Sequence, residues 1–283
     1  INEAYIQSYT SSLDKNGRPY TSIHLLAFLD DELKSITVFV WGEALEKLPS
    51  YVSLVVSESN SSYSAFSRSI KTTNPSEQFL SLLNSIHPVP DKGQWQSIVN
   101  SIATLFQEDA IKHFWVDLAM HHIYDAYVIA PAAVSHHHAY PGGLLEHTFE
   151  MLNMFYAIYN SLPYQVNPVV VAFAILLHDY GKLKVYSTDP LSVTPEISLF
   201  DHTYLSAKAV DVCIQEPAMS KYKLFIESAV LSHHGKLEYG APILPVNPES
   251  YLVSMLDQLS GVGVQYNVPT GTRACQTTIQ RIS

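Results

Sequence analysis

Cysteine is nearly absent from this 283-residue chain: Cys213 and Cys275 are the only two, and they sit in unrelated contexts. That excludes a disulfide framework and a cysteine zinc site, so any metal has to be held by histidine and carboxylate. Charge is scarce as well. Only 15% of residues are Asp, Glu, Lys or Arg, and 16 basic residues stand against 26 acidic ones for a formal net charge of −10. A broad basic surface is thereby excluded, and nucleic acid is repelled except where local cations or bound metals reverse the field. No apolar run is long enough to span a bilayer, and no basic-then-apolar leader opens the chain, which begins at Ile1. The expectation is a soluble cytoplasmic protein with no membrane partner. Apolar residues make up 47% of the chain, enough for a sizeable core, and usual domain sizes predict a large unit with a small companion.

Residues 1–72 read as β structure. Stretches 3–10, 20–28, 35–41, 51–57 and 62–70 are rich in Tyr, Val, Ile, Thr, Ser and Phe, and turn material such as Asp14-Lys15-Asn16-Gly17 and Leu48-Pro49 separates them. Asn16-Gly17 supplies a tight hairpin, and Trp41-Gly42 ends the third strand before a short helical piece, Glu43 to Leu48. Five short strands predict a small oligonucleotide-binding (OB) barrel. Tyr20, Phe39, Trp41, Tyr63 and Phe66 are its candidate base-stacking aromatics, with Arg18, Lys34, Arg68 and Lys71 nearby for phosphates. Each of these rings could equally fill the barrel. The segment itself is not basic, with six Lys or Arg against eight Asp or Glu.

A polar, proline-punctuated linker over 73–93 contains Asn74-Pro75, His87-Pro88 and Pro90, with a short helical run from Phe79 to Leu83. From Gln94 the apolar spacing turns helical, through Ile98, Ile102, Leu105 and Phe106 to Ile111, Phe114, Trp115, Leu118 and Ile123. Residues 94–283 are therefore expected to form a mainly α domain. His113, His121 and His122 read as ordinary surface or core histidines.

The densest chemistry lies at residues 133–150, where four histidines surround a Pro-Gly-Gly turn that opens a helix. His147 shares a helical stripe with Leu144, Met151, Met154 and Ile158, so its ring points inward and needs a partner. Similar placements recur downstream. Asn167-Pro168 starts an almost purely apolar helix that delivers His178-Asp179 before the stop at Gly181. Asp201 reads as an N-cap with His202 in the first turn, and Ser220 as the cap of a helix that runs to His233-His234. Asn247-Pro248 opens the last helix, in which Leu252, Val253, Leu256 and Leu259 bracket a single acid, Asp257. A lone carboxylate in such a helix has to be paired or metal-bound. His147, His178, Asp179, His202, His233, His234 and Asp257 are together seven N/O donors from five helices, enough for two divalent ions bridged by a carboxylate.

The ordered motif His147…His178-Asp179…His202…His233-His234…Asp257 resembles the HD-domain metal-dependent phosphohydrolase superfamily. Lys15-Asn16-Gly17-Arg18-Pro19-Tyr20, His137-His138-Ala139-Tyr140, Gly143-Leu144-Leu145-Glu146-His147, Leu177 to Lys182 and Leu231 to Pro242 look closer to the bacterial 3′→5′ exoribonuclease family of the YhaM type. That resemblance implies a small all-β OB-like barrel followed by a mainly α HD-domain helical bundle. It implies one metal on His147, His178, Asp179 and Asp257, and a second on His202, His233 and His234 with Asp179 bridging. Where the family often carries a second acid after the final aspartate, this sequence has Ser260, and little length follows Arg273.

A dinuclear His/Asp site suits in-line displacement at phosphorus. Lys182 is the candidate for neutralising a phosphoryl oxygen in the transition state, although a helix-end lysine also meets the dipole. His137 and His138 could protonate the leaving oxygen, grip a phosphate or orient the ligands. Lys236, Tyr140, Arg18 and Trp41 are the expected substrate contacts. The favoured function is a metal-dependent 3′→5′ exonuclease on single-stranded RNA or DNA, with two divalent ions drawn from Mn, Fe, Co, Ni, Mg or Zn. The alternatives are a phosphohydrolase of a small nucleotide or cyclic dinucleotide, and a non-catalytic nucleic-acid-binding module with structural metals. Self-association into a homo-oligomer is left open.

Overall fold

A computed structural model of the chain describes residues 1–29, 32–45, 48, 51–59, 62–79, 82, 89–133, 138, 140–185 and 199–265. The N-terminal part forms seven strands: β1 (Ala4–Leu13), β2 (Pro19–Leu29), β3 (Glu32–Trp41), β4 (Tyr51–Ser53), β5 (Val56–Ser59), β6 (Ser62–Ala65) and β7 (Lys71–Thr72). Alternation decides what they bury: Ile23, Leu25 and Ala27 of β2 and Val38 and Val40 of β3 share one face with Ala4, Ile6 and Val52. The sheet order is β5-β6-β3-β2-β1-β4-β7, antiparallel except for the parallel β3–β6 pair. β4 and β5 stand towards opposite ends of that order, yet only Leu54 and Val55 separate them in the chain. Covalent connection therefore draws the two ends of the sheet together around the buried face, giving an OB-like barrel.

The hairpin joining β1 and β2 follows its sequence. Gly17 takes φ +74°, and Asp14 Oδ1 accepts the Asn16 and Arg18 N–H groups, each at 2.8 Å. Other local expectations are corrected. The strand expected over 51–57 breaks at Leu54-Val55, and the one over 62–70 stops at Ala65, where a 3-10 turn, Ser67–Ser69, precedes β7. Glu43 to Leu45 are not helical, because Thr21 takes their backbone groups: its Oγ1 donates to Glu43 O at 3.1 Å and accepts from Leu45 N at 2.8 Å. Glu46 and Lys47 lie outside the described residues.

In the connection, Ser76 bonds Glu3 through both its N–H (2.6 Å) and its hydroxyl (2.9 Å), and Phe79 is fully buried. Leu83 lies outside the described residues. Helices follow: α1 (Lys92–Ala103), α2 (Asp109–Asp117), α3 (Tyr124–Tyr127), α4 (Gly143–Ile158), α5 (Pro168–Leu177), α6 (Lys182–Val185), α7 (His202–Cys213), α8 (Ser220–Ser232) and α9 (Pro248–Gln265). A π-helical stretch, Leu118–Ile123, joins α2 to α3. α1 starts two residues before Gln94 because Asp91 caps it and Gln94, at the third helical position, bonds back to the Asp91 N–H. No helix among the described residues is long and apolar enough to cross a membrane.

α5 is the axis of the helical part. Val169 to Leu177 are all buried, and each Val, Ile, Leu or Phe side chain among them stabilises the fold by roughly 1.5–3 kcal/mol. Phe173 stacks on Phe114 (5.8 Å between centroids) and meets Trp115 edge-on (5.1 Å). Asn167 caps its start, and Tyr127 Oη donates to Leu176 O at 2.8 Å near its end. Ser220 opens α8 without capping it. A 3-10 turn, Pro217–Met219, leads in instead, and Glu216 caps that turn.

Barrel and helices meet through a separate apolar cluster of Tyr5, Leu26, Phe79 and Tyr140. Tyr5 and Leu26 lie on the barrel's outer face, and Tyr140 lies in the loop just before α4.

Beyond α5 the chain turns at Gly181, whose N–H donates to Ser206 Oγ of α7 at 2.8 Å. A Cβ on Gly181 would lie 2.2 Å from His202 O and 2.9 Å from Leu205 Cβ. Gly181→Ala is therefore expected to force α7 away from the end of α5 and to lower stability by about 1–3 kcal/mol. A wild-type melting temperature for this variant would contradict the close approach.

Candidate metal centre

Five helices deliver the seven expected donors to one buried point. α4 carries His147 in its second turn, and the turn after α5 carries His178 and Asp179. His202 is the first residue of α7, capped by Asp201, which accepts the Thr203 N–H at 2.8 Å. His233 and His234 follow the end of α8 directly, and Asp257 lies within α9. His147, His178, Asp179 and His233 are at most 1% exposed.

The donors fall into two groups, each with ligand atoms within 4.8 Å of one another: His147, His178 and Asp179, and then His202, His233 and His234. The Asp179 carboxylate divides between them. Its Oδ2 lies 3.2 Å from His178 Nε2 and 3.8 Å from His147 Nε2, while its Oδ1 lies 3.5 Å from His202 Nε2 and 3.7 Å from His233 Nε2. Asp257 joins the first group, with Oδ1 3.1 Å from His147 Nε2.

Hydrogen bonds at the far side of the rings set their tautomers. His178 Nδ1 donates to Ile175 O at 2.8 Å and His233 Nδ1 to Val230 O at 2.6 Å, since a carbonyl can only accept. Each then presents the lone pair of Nε2 inward, where His147 Nε2 and His178 Nε2 approach to 3.1 Å. Asp179 Oδ1 and His202 Nε2 make no hydrogen bond among the described residues. Converging imidazole lone pairs around a divided carboxylate form a donor set suited to divalent cations.

Electrostatics agrees. Burial, then the Lys182 charge, pushes the His202 imidazole down to about 4 against the pull of Asp179 and Asp201. Burial likewise lowers His147 and, further, His233, so these rings favour the neutral, ligating form. His178 runs the other way: burial would lower it, but the Asp179 and Asp257 carboxylates raise it. Burial alone would raise both aspartates. Lys182 and then His178 hold Asp179 well below the usual carboxylate range, and the adjoining His147, then His233, do the same for Asp257.

Lys182 Nζ lies 2.6 Å from Asp179 Oδ2, so the expected transition-state lysine is an ion-pair partner of the dividing carboxylate. His138 is fully buried, with Nε2 3.4 Å from Glu150 Oε2, while His137 lies outside the described residues. Tyr140 is only 7% exposed, and its hydroxyl donates to Glu146 Oε2 at 2.7 Å, which commits it to packing rather than to an open substrate surface. Lys236 is exposed beside His234, 3.5 Å from Glu238 and 4.8 Å from the Tyr239 ring centre. Arg18 and Trp41 are exposed on the barrel, away from the seven donors in sequence. His113, His121 and His122 stay outside the cluster on the exposed surface of α2 and the turn after it.

A third group was not anticipated: His138, Glu146 and Glu150 also bring donor atoms within 4.8 Å. Burial raises Glu146 to about 7. The available signal was two acids at i and i+4 flanking the inward-facing His147 on a mostly buried helix.

Residues 144–261, the stretch that carries all seven donors, match the family model described as HD domain. Three relatives bear the name 3′-5′ exoribonuclease YhaM. They come from Bacillus subtilis (strain 168), Bacillus velezensis and Bacillus licheniformis, and are 33%, 32% and 31% identical over 132 residues. Each alignment covers 46% of this chain and 41% of the relative, so the match spans less than half of either protein. No solved structure matches.

Because His202 keeps its proton to about 4 rather than 6.5, the unfolded chain binds that proton first. The metal-free protein is expected to lose this stability as pH falls from about 6.5 to about 4, with His147 and His233 acting in the same direction and outweighing the raised His178, which acts in the opposite one. A melting temperature that stays flat across this window, or rises on acidification, would contradict neutral, buried histidines.

Proposed function

We propose that the chain is a metal-dependent phosphodiester hydrolase that removes nucleotides from single-stranded RNA in the 3′→5′ direction, with DNA a further substrate. The single observation that carries this reading is the Asp179 carboxylate divided between two histidine groups. The names of the Bacillus relatives support the RNA assignment. Divalent ions in such a donor set supply Lewis acidity for in-line displacement at phosphorus.

The protein's own residues do the rest. His147, His202 and His233 hold neutral nitrogens, Asp179 and Asp257 supply negative charge, and apolar α5 forms the site's inner wall. Lys182 lies against Asp179 with 14% of its side chain exposed and is the candidate cation for a phosphoryl oxygen that gains charge in the transition state. His138, held by Glu150, is the candidate proton donor to the leaving oxygen.

The barrel supports a long substrate. Tyr20 pairs directly with Trp41 across β2 and β3, and Phe39 lies two residues before Trp41, so the three rings form one outer-face cluster with centroids 5.1–6.2 Å apart. Tyr63 instead packs against the barrel core, and Phe66 stands apart with Arg68 over its ring. On β2 the face that carries Tyr20 also carries Leu26, where the barrel meets Tyr140 ahead of α4. Those rows are about 20 Å apart at roughly 3.3 Å per residue. A few stacked nucleotides would bridge them.

The net charge of −10 favours a second reading, hydrolysis of a free or cyclic nucleotide. Replacing Tyr20 and Trp41 by alanine separates the two. Binding of a single-stranded RNA should weaken by about 1–3 kcal/mol for each stacked base lost, while hydrolysis of bis(4-nitrophenyl) phosphate, too small to need the barrel, persists. Unchanged RNA degradation, together with preference for a cyclic dinucleotide, would favour the small-substrate enzyme.

A further inference from the structure

Two imidazoles of the centre, His178 and His233, take their orientation from backbone. The Nδ1 acceptors of His178 and His233 are carbonyls three residues earlier in their own chain segments, Ile175 O and Val230 O. Helix geometry supplies them whatever the side chains are. His147 is held differently. Its Nδ1 lies 2.8 Å from Ser260 Oγ, on another helix and 113 residues away.

The direction of this bond follows from the next one. Ser260 donates its only hydroxyl proton to Glu150 Oε2, and an ionised carboxylate has no proton to return. Ser260 Oγ can then only accept from His147, so Nδ1 carries the proton and Nε2 presents its lone pair to Asp257, Asp179 and His178. Ser260 is 4% exposed, so water is a poor substitute for it. Glu150 Oε2 also lies 3.4 Å from His138 Nε2. One carboxylate thereby links the loop before α4, α4 itself and α9.

We propose that Ser260 and Glu150 form a positioning relay that fixes the tautomer and ring orientation of His147 for metal binding. The inference rests on the metal centre described above. It assigns neither residue to the metal, since Ser260 acts through His147 Nδ1 and Glu150 acts through Ser260. Partners of this kind typically contribute 10–100-fold in metal affinity.

The test uses the full chain, stripped with chelator and titrated with Co2+, read by the visible absorption of the bound ion. Ser260→Ala should weaken Co2+ binding by about 10–100-fold and change the absorption envelope, because His147 is free to turn or to change tautomer. Ser260→Thr keeps the hydroxyl and should restore affinity to within a few fold. Glu150→Gln still accepts from Ser260 and should fall between. The melting temperature of each metal-free variant separates a lost fold from a misplaced ring, and Glu150→Gln carries the test if Ser260→Ala does not fold. Wild-type Co2+ affinity and spectrum in both Ser260→Ala and Glu150→Gln would overturn the relay while leaving the metal centre standing, as would a threonine variant as weak as alanine. Failure of the wild-type chain to take up Co2+ at all would overturn the relay and the metal centre together.

Discussion

The Asp179 carboxylate is 1% exposed and lies within 4 Å of four imidazole Nε2 atoms and the Lys182 ammonium. Burying a lone carboxylate costs several kcal/mol, so its neighbours have to return that free energy through opposite charge or shared ligation. Everything around it follows from this requirement. His147, His202 and His233 bring neutral nitrogens, Lys182 brings the compensating charge, and a cation on each side of the carboxylate would satisfy both oxygens at once.

Holding so many polar groups at one buried point demands a rigid frame. α5 provides it by being apolar on every side, so its end can lie deep in the fold and deliver His178 and Asp179 together. Gly181 then lets α7 approach closely enough to bring in His202, and the end of α8 and the middle of α9 close the other sides. The barrel packs at a distance from this frame, through Tyr5, Leu26, Phe79 and Tyr140, and leaves Tyr20, Phe39 and Trp41 as a cluster on the outer face.

Much of this was legible in the chain. Capping residues at Asn167, Asp201 and Asn247, the unbroken apolar run 169–177 and the solitary Asp257 announced the helices and the donors, because caps and apolar periodicity are local properties. The barrel was legible as strands, but the break at Leu54-Val55 was not. It is set by pairing with β1 on one side and β6 on the other, which no local preference encodes. Tyr140 read as a substrate contact and is instead buried, since a tyrosine serves equally as an apolar plate and as a hydrogen-bond donor. Ser260 stood out only as a departure from an acidic position. Its bonds to His147 and Glu150 join helices more than 100 residues apart, and such side-chain networks leave no periodic trace in a sequence.

The measurement that tests the central claim most directly is the metal content of the full chain and of its Asp179→Ala variant, purified without chelator and analysed for divalent transition metals. A carboxylate shared between two histidine groups predicts two ions per chain in the wild type and loss of both in the variant, with the helical content retained. A wild-type chain that carries no divalent metal even after incubation with Mn2+, or an Asp179→Ala variant that keeps both ions, would contradict it.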